Sequence, residues 1–114
     1  MKKWSVYKAN LDPVIGSEQG RLRPVLIISD TTVNGILRCV NVLPITSLKE
    51  GRRIYPNEVL INANIAGLTS TSIVLCHQIR TLDKARLSYF YGEILDTSLQ
   101  NEITDALLFQ LGIE

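Results

Sequence analysis

Several side chains in this sequence could handle a negatively charged ligand, and most sit beside an apolar run. Arg23 stands at the exit of the Gly- and Pro-rich stretch Leu11 to Ser29, LDPVIGSEQGRLRPVLIIS, directly before the apolar run from Pro24. A guanidinium fixed at a strand start can donate two parallel hydrogen bonds to a phosphate. The alternative is a surface arginine paired with Glu18 or Asp12. Thr46 and Ser47 follow the run Cys39 to Leu43 in Pro44-Ile45-Thr46-Ser47, where a hydroxyl either donates to a phosphate oxygen or closes a turn on local backbone. Lys49, Arg52 and Arg53 lie in the next loop, a cation density that suits a polyanion as well as it suits water. His77, the only histidine, has an unperturbed pKa near neutrality and is the candidate for proton transfer, against the commoner structural role of a lone histidine. Arg80, Lys84 and Arg86 would extend a basic face, and Asp83 reads as the start of a short helical turn.

The absences narrow the chemistry. There is no GxGxxG, no P-loop and no GxSxG elbow. Cys39 and Cys76 each lie inside an apolar run and read as buried, reduced thiols. Two separated cysteines and one histidine lack the spacing and ligand number of a zinc site, so neither a metal nor another cofactor is expected.

The elements that must position these groups read as short strands: Trp4 to Asn10, Pro24 to Ser29, Ile36 to Leu43, Asn57 to Ile61, Ser72 to Cys76 and Ser88 to Leu95. Turn signals separate them at Pro13, Gly16, Gly20, Asn34-Gly35, Gly51, Pro56 and Gly67. Close spacing without helical period predicts a mainly β fold, a small antiparallel barrel rather than βαβ units. Only the end changes period: Leu99, Ile103, Ala106, Leu107 and Leu111 form one helical stripe. Thr97 with Gln100 has capping-box spacing, Asp96 is the second choice of cap, and Gly112 is the stop.

At 114 residues and 46% hydrophobic, the chain supplies one core and one domain, residues 1–114. No apolar run is long enough for a bilayer and no signal peptide is visible, which predicts a cytoplasmic protein with no membrane partner. The net charge of +1 conceals an asymmetry. All 12 Lys and Arg precede Gly92 together with six of the 11 acids, giving +6, and the remaining five acids leave the tail at −5. Such a body attracts polyanions, or is ordinary solvated surface.

The stretch from Leu11 resembles the N-terminal hallmark of the MazF/PemK/Kid toxin family, LDPxxGsEQgxxRPVLIIS. Three more segments match in order: VLPITS at Val42 to Ser47, QIRTLDKARL at Gln78 to Leu87, and LGI at Leu111 to Ile113. The resemblance implies an SH3-like antiparallel barrel with a C-terminal α-helix, shared with the gyrase-poisoning CcdB toxins. It implies a homodimer that cuts single-stranded mRNA sequence-specifically without a metal, and a cognate antitoxin that covers the RNA groove. Cleavage in that family proceeds by attack of the ribose 2'-OH, leaving a 2',3'-cyclic phosphate and a 5'-hydroxyl. Carried over by motif, the catalytic arginine falls on Arg23 and the catalytic hydroxyl on Thr46, Ser17, Glu18, Gln19 and Gly20 match the loop bordering RNA, and Gln78 matches a conserved glutamine. With the cations read above, the expected RNA contacts also include Arg21, Ser47, Lys49, Arg52, Arg53 and Arg80, and His77 joins the catalytic group. Two departures stand out: Trp4-Ser5 replaces the usual Gly-acid opening, and His77 stands where several members carry a carboxylate. The competing readings are a CcdB-like topoisomerase inhibitor and a noncatalytic RNA-binding barrel.

Overall fold

A computed structural model describes residues 1–114. Seven strands form one antiparallel sheet: β1 (Ser5–Asn10), β2 (Leu22–Ile27), β3 (Cys39–Ser47), β4 (Glu58–Ile61), β5 (Ser72–Leu75), β6 (Arg80–Asp83) and β7 (Leu87–Glu93). A six-residue helix α1 (Thr31–Ile36) links β2 to β3, and α2 (Thr97–Leu111) ends the fold. The spatial order is β4-β5-β3-β2-β1-β7, with β6 also on β3. The ends of this order, β4 and β7, do not pair, so the predicted barrel is a curled sheet whose ladder stays open.

Alternation explains how so thin a sheet is filled. In β2, Val25 and Ile27 join one apolar cluster with Ala9, Leu11, Val40, Val42 and Leu82, whereas Leu26 joins the cluster beneath α2. β3 does the same with Val42 on one side and Leu43 and Ile45 on the other. Strands buried on both faces read as continuous apolar runs, which is how these two appear in the sequence. Leu99, Ile103 and Ala106 of α2 close the larger cluster.

Where helices start and stop differs in detail from the sequence reading. The N-cap of α2 is Asp96, whose carboxylate accepts from Ser98 N at 2.9 Å, and not Thr97. Gln100, read as the capping-box partner, donates to Ile94 O at 2.8 Å instead. Gly112 is the stop, in the left-handed region at φ 70°. Leu111, read as part of the buried stripe, is exposed. The expected strand at Ile36 begins only at Cys39, because Asp30 caps α1 by accepting from Thr32 N at 2.9 Å. Asn34-Gly35 is therefore helix and not a turn. The fully buried Asn34 side chain donates to Met1 O and Ser29 O and accepts from Ser29 Oγ, and a cap plus a satisfied buried amide outweighs β propensity over six residues. Cys39, expected to be buried, is exposed at the entry of β3, where the strand's outward face begins; Cys76 is buried.

The loop between β4 and β5 is pressed onto β7 by two glycines. A Cβ on Gly67, at φ +76°, would lie 2.0 Å from Tyr91 O, and one on Gly92 would lie 2.6 Å from Ala66 C. Neither approach leaves room for a side chain.

Candidate functional site

The sequence puts Arg23 and Thr46 in different motifs, and the sheet places both next to the end of the β2–β3 ladder. The β2–β3 ladder ends at the rung Val25↔Pro44, and Arg23 and Thr46 each lie two residues beyond that rung on their own strands. Two steps along a strand return to the same face, so both side chains belong to the face on which the Val25–Pro44 pair lies. Both residues are half-buried. Arg23 Nε donates to Gly20 O at 3.4 Å, a long contact that leaves most of the fork unclaimed.

His77 and Gln78 owe their position to a break in the ladder. β5 and β6 both pair with β3, in the registers Ile45↔Val74 and Val42↔Arg80. Between those rungs only Leu43 and Pro44 face the five residues from Leu75 to Ile79. The surplus coils into a turn of 3-10 helix, Cys76–Gln78. Pro44 has no N–H for the ladder, which makes the break cheap there. Cys76 is turned in, under α2, and its thiol is pushed up to about 11 by burial and by the Glu58 charge. His77 is turned out and exposed, and Gln78 faces the loop between β1 and β2.

Gln78 holds that loop near its tip. Its Oε1 accepts from Gln19 N at 2.7 Å, and its Nε2 lies 3.5 Å from Ser17 O and 3.4 Å from His77 Nε2, to which it donates when that nitrogen carries no proton. Glu18 Oε1 accepts from Ile15 N at 2.6 Å. Loop and turn enclose a cavity of about 480 Å³ lined by Pro13, Ile15, Glu18, Gln19, His77, Gln78, Ile79 and Arg80.

The expected basic face at Arg80, Lys84 and Arg86 is employed otherwise. Arg80 Nη1 donates to Leu11 O at 3.0 Å, Lys84 Nζ donates to Asn34 O, and Arg86 Nη1 donates to Asn10 O at 3.1 Å and Asp12 O at 2.6 Å. All three cations donate to main-chain carbonyls. Asp83 does begin a short turn, its carboxylate accepting from Ala85 N at 2.8 Å.

The basic loop before β4 is divided. Arg52 donates from Nη1 and Nη2 to the two Glu58 oxygens at 3.0 and 2.8 Å, and Tyr55 N donates to Glu58 Oε1 at 3.0 Å. These bonds from Arg52 hold the Glu58 carboxyl below the usual carboxylate range, against the opposing effect of burial; the Tyr55 amide and the charges of Arg52 and His77 act in the same direction as the bonds. Arg53 stacks over the Tyr55 ring at 5.2 Å. Lys49 is exposed, as are Ser47, Arg21 and the loop residues Ser17 and Glu18. A second cavity of about 410 Å³ lies between Arg52, Tyr55, Pro56, Asn57, Glu58, Phe109 and His77, so His77 is a wall common to both.

The structure thus gathers Glu18, Gln19, His77, Gln78 and Arg80 around one cavity, with Arg23 and Thr46 just past the end of the β2–β3 ladder. It keeps Arg52 and Arg53 in a separate group reached through His77. Sequence reasoning missed Asp12, Asn10 and Arg86 as the frame of the β1–β2 loop, and Tyr55 and Phe109 as cavity walls. The only available signal was the odd choice of arginine, Arg80 and Arg86, beside exposed strands.

A curled antiparallel sheet with a terminal helix, and a loop latched by Gln78 over a cavity, defines a class of small β proteins. The family model for the PemK-like, MazF-like toxin of type II toxin-antitoxin system matches residues 2–111, and the chain belongs to that family. It is 36% identical over 113 residues to the endoribonuclease EndoA of Bacillus subtilis (strain 168), covering 99% of this chain and 96% of that protein. Among solved structures, MazF from Deinococcus radiodurans (Form-I) superposes with a TM-score of 0.81 at 29% identity, covering 99% of this chain and 97% of the other. A mycobacterial endoribonuclease in complex with its cognate antitoxin gives 0.80 at 26% identity, covering 100% and 97%. No helix in the fold is long and apolar enough to cross a membrane.

Proposed function

We propose that this chain is the toxin endoribonuclease of a type II toxin–antitoxin pair and cuts single-stranded mRNA by internal transesterification. The observation that supports the reading is that Arg23 and Thr46 both lie just past the last rung of the β2–β3 ladder, Val25↔Pro44, on the same face of their strands. The ribose 2'-oxygen attacks the adjacent phosphorus while the bond from phosphorus to the 5'-oxygen breaks, giving a 2',3'-cyclic phosphate and a 5'-hydroxyl. The proton leaves the 2'-OH for a base, and another proton reaches the departing 5'-oxygen. Arg23 donates its planar fork to the phosphate and Thr46 donates its hydroxyl to a non-bridging oxygen, both aimed at charge that grows in the transition state. His77 and Glu18 line the same cavity and are the groups of this chain that can carry the two protons. Dependence on a 2'-OH explains selectivity for RNA over DNA.

Exposed Ile36, Tyr89, Phe90, Leu95, Phe109 and Leu111 leave apolar surface uncovered on one protomer, which supports a symmetric dimer with RNA across the interface. An antitoxin segment would occlude the same groove, and the cytoplasm is where mRNA and antitoxin are met. Incubation of purified protein with a long, structure-poor RNA in EDTA, followed by mapping of both ends, tests the reading. Cuts at a recurring sequence with cyclic-phosphate and 5'-hydroxyl termini support it. Intact RNA, or 5'-phosphate ends, overturns it. Sedimentation at micromolar concentration tests the dimer, and an RNA-cutting monomer refutes it.

A further inference from the structure

We propose that Arg86 is a positioning residue for the Arg23 guanidinium, not an RNA contact. The inference rests on the reading of Arg23 as catalytic.

Arg86 lies about sixty residues from Arg23 in sequence, and a connected set of bonds joins them. Its Nη1 donates to Asn10 O at 3.1 Å and Asp12 O at 2.6 Å, which fixes the chain as it leaves β1. Asp12, so fixed, accepts from Arg21 N on Oδ1 at 2.8 Å, while Leu11 N donates to Arg21 O at 2.9 Å. Arg21 is held on both sides because its backbone sits in the left-handed region at φ 63°, which costs a side-chain-bearing residue on the order of 1 kcal/mol. That turn aims Gly20 O at Arg23 Nε. A Cβ at Gly20 would lie 2.6 Å from Asp12 Oδ1, so a side chain there would push the Asp12 carboxylate away from Arg21 N. Release of Asp12 O therefore loosens one of the two groups that hold Arg21 in an unfavourable conformation, and with it the direction from which Arg23 enters β2. Arginine suits the task, because one guanidinium nitrogen serves two carbonyls at once.

The test compares Arg86→Gln and Arg86→Lys with the unaltered protein, using a short RNA spanning a mapped cut. Single-turnover rate, KM and the slope of log KM against log salt are measured together with the melting temperature. Arg86→Gln should lower kcat roughly tenfold to a hundredfold, with KM within about twofold and the salt slope unchanged. Arg86→Lys, which can still reach one carbonyl, should recover part of the loss, and it carries the comparison if Arg86→Gln fails to fold. In an Arg23→Ala background, Arg86→Gln should change the residual rate by less than about twofold, because groups acting through one another are not additive. A KM rise with a salt slope smaller by about 0.7 identifies a lost phosphate contact on single-stranded RNA and overturns the proposal. An equal loss in both backgrounds also overturns it, as an effect independent of Arg23. If Arg23→Ala cuts normally, the catalytic reading fails first; if Arg23→Ala is inactive and Arg86→Gln is normal, this inference alone fails.

Discussion

Arg52 and Glu58 meet through two hydrogen bonds of 3.0 and 2.8 Å, with the carboxylate 2% exposed and the guanidinium side chain 30% exposed. The carboxyl is the committed partner, since the sheet edge has already removed it from water. Its pKa is lowered in the folded state, chiefly by the Arg52 bonds. A lowered folded pKa adds stability that is present above the unfolded carboxyl value of about 4.3 and is lost as pH falls through the folded one. Melting temperature should therefore drop as pH falls from about 5 towards 3, and Glu58→Gln should flatten that part of the curve. Arg52→Ala leaves a buried carboxylate without its ion partner and should destabilise by about 2 to 3 kcal/mol at pH 7, less than a fully enclosed pair would lose. Denaturant melts at pH 7 and pH 4 check both. An Arg52→Ala protein as stable as the parent removes the pair from the account.

The proposed pair, Arg23 and Thr46, gives the sharpest activity test. Arg23→Ala or Thr46→Ala should lower the cleavage rate by roughly a hundredfold or more, the scale for losing one transition-state donor, while the fold persists because both residues lie outside the two apolar clusters. Arg23→Lys should also be poor, because a point charge does not reproduce the fork. Near-normal cutting by folded Arg23→Ala refutes the assignment.

His77 lines both cavities and is the only histidine of the chain. If it moves a proton, His77→Ala should cost roughly 10² to 10⁴ in single-turnover rate and delete one limb of the pH profile between pH 5 and 9. A profile of unchanged shape with less than about tenfold loss assigns proton transfer elsewhere and leaves the ring as a wall.

Cys39 is exposed and Cys76 buried, with the Cys76 thiol pushed up to about 11. Only thiolates react at useful rates. One equivalent of a thiol reagent should be taken up by folded protein at pH 8, at Cys39, and a second only after denaturation. Rapid uptake of two would mean that α2 does not seal Cys76.

The sequence read differently for elements and for contacts. The run from Pro24 was legible as a strand because Val25 to Ile27 are buried on both faces and read as continuous apolar sequence, although β2 begins two residues earlier, at Leu22; the α2 stripe was legible because Leu99, Ile103 and Ala106 recur at helical spacing. The turn that projects His77 was not, since it arises from unequal numbers of residues between rungs contributed by segments thirty residues apart. Arg80, Lys84 and Arg86 were visible as cations, yet their targets are main-chain carbonyls, which every residue carries and no sequence marks. Arg52 looked like its neighbours Lys49 and Arg53 until Glu58 turned out to be buried beside it.

β3 is laid against three partners, β2 before it and β5 and β6 after it. A chain growing from its N-terminus has therefore made Arg23 and Thr46 long before it has made the strands that flank Thr46 or the Arg86 that steadies the loop. Fragments ending short of residue 86 contain the reacting groups without their mounting. On the proposed reading, cleavage is therefore expected only from a chain made past residue 86.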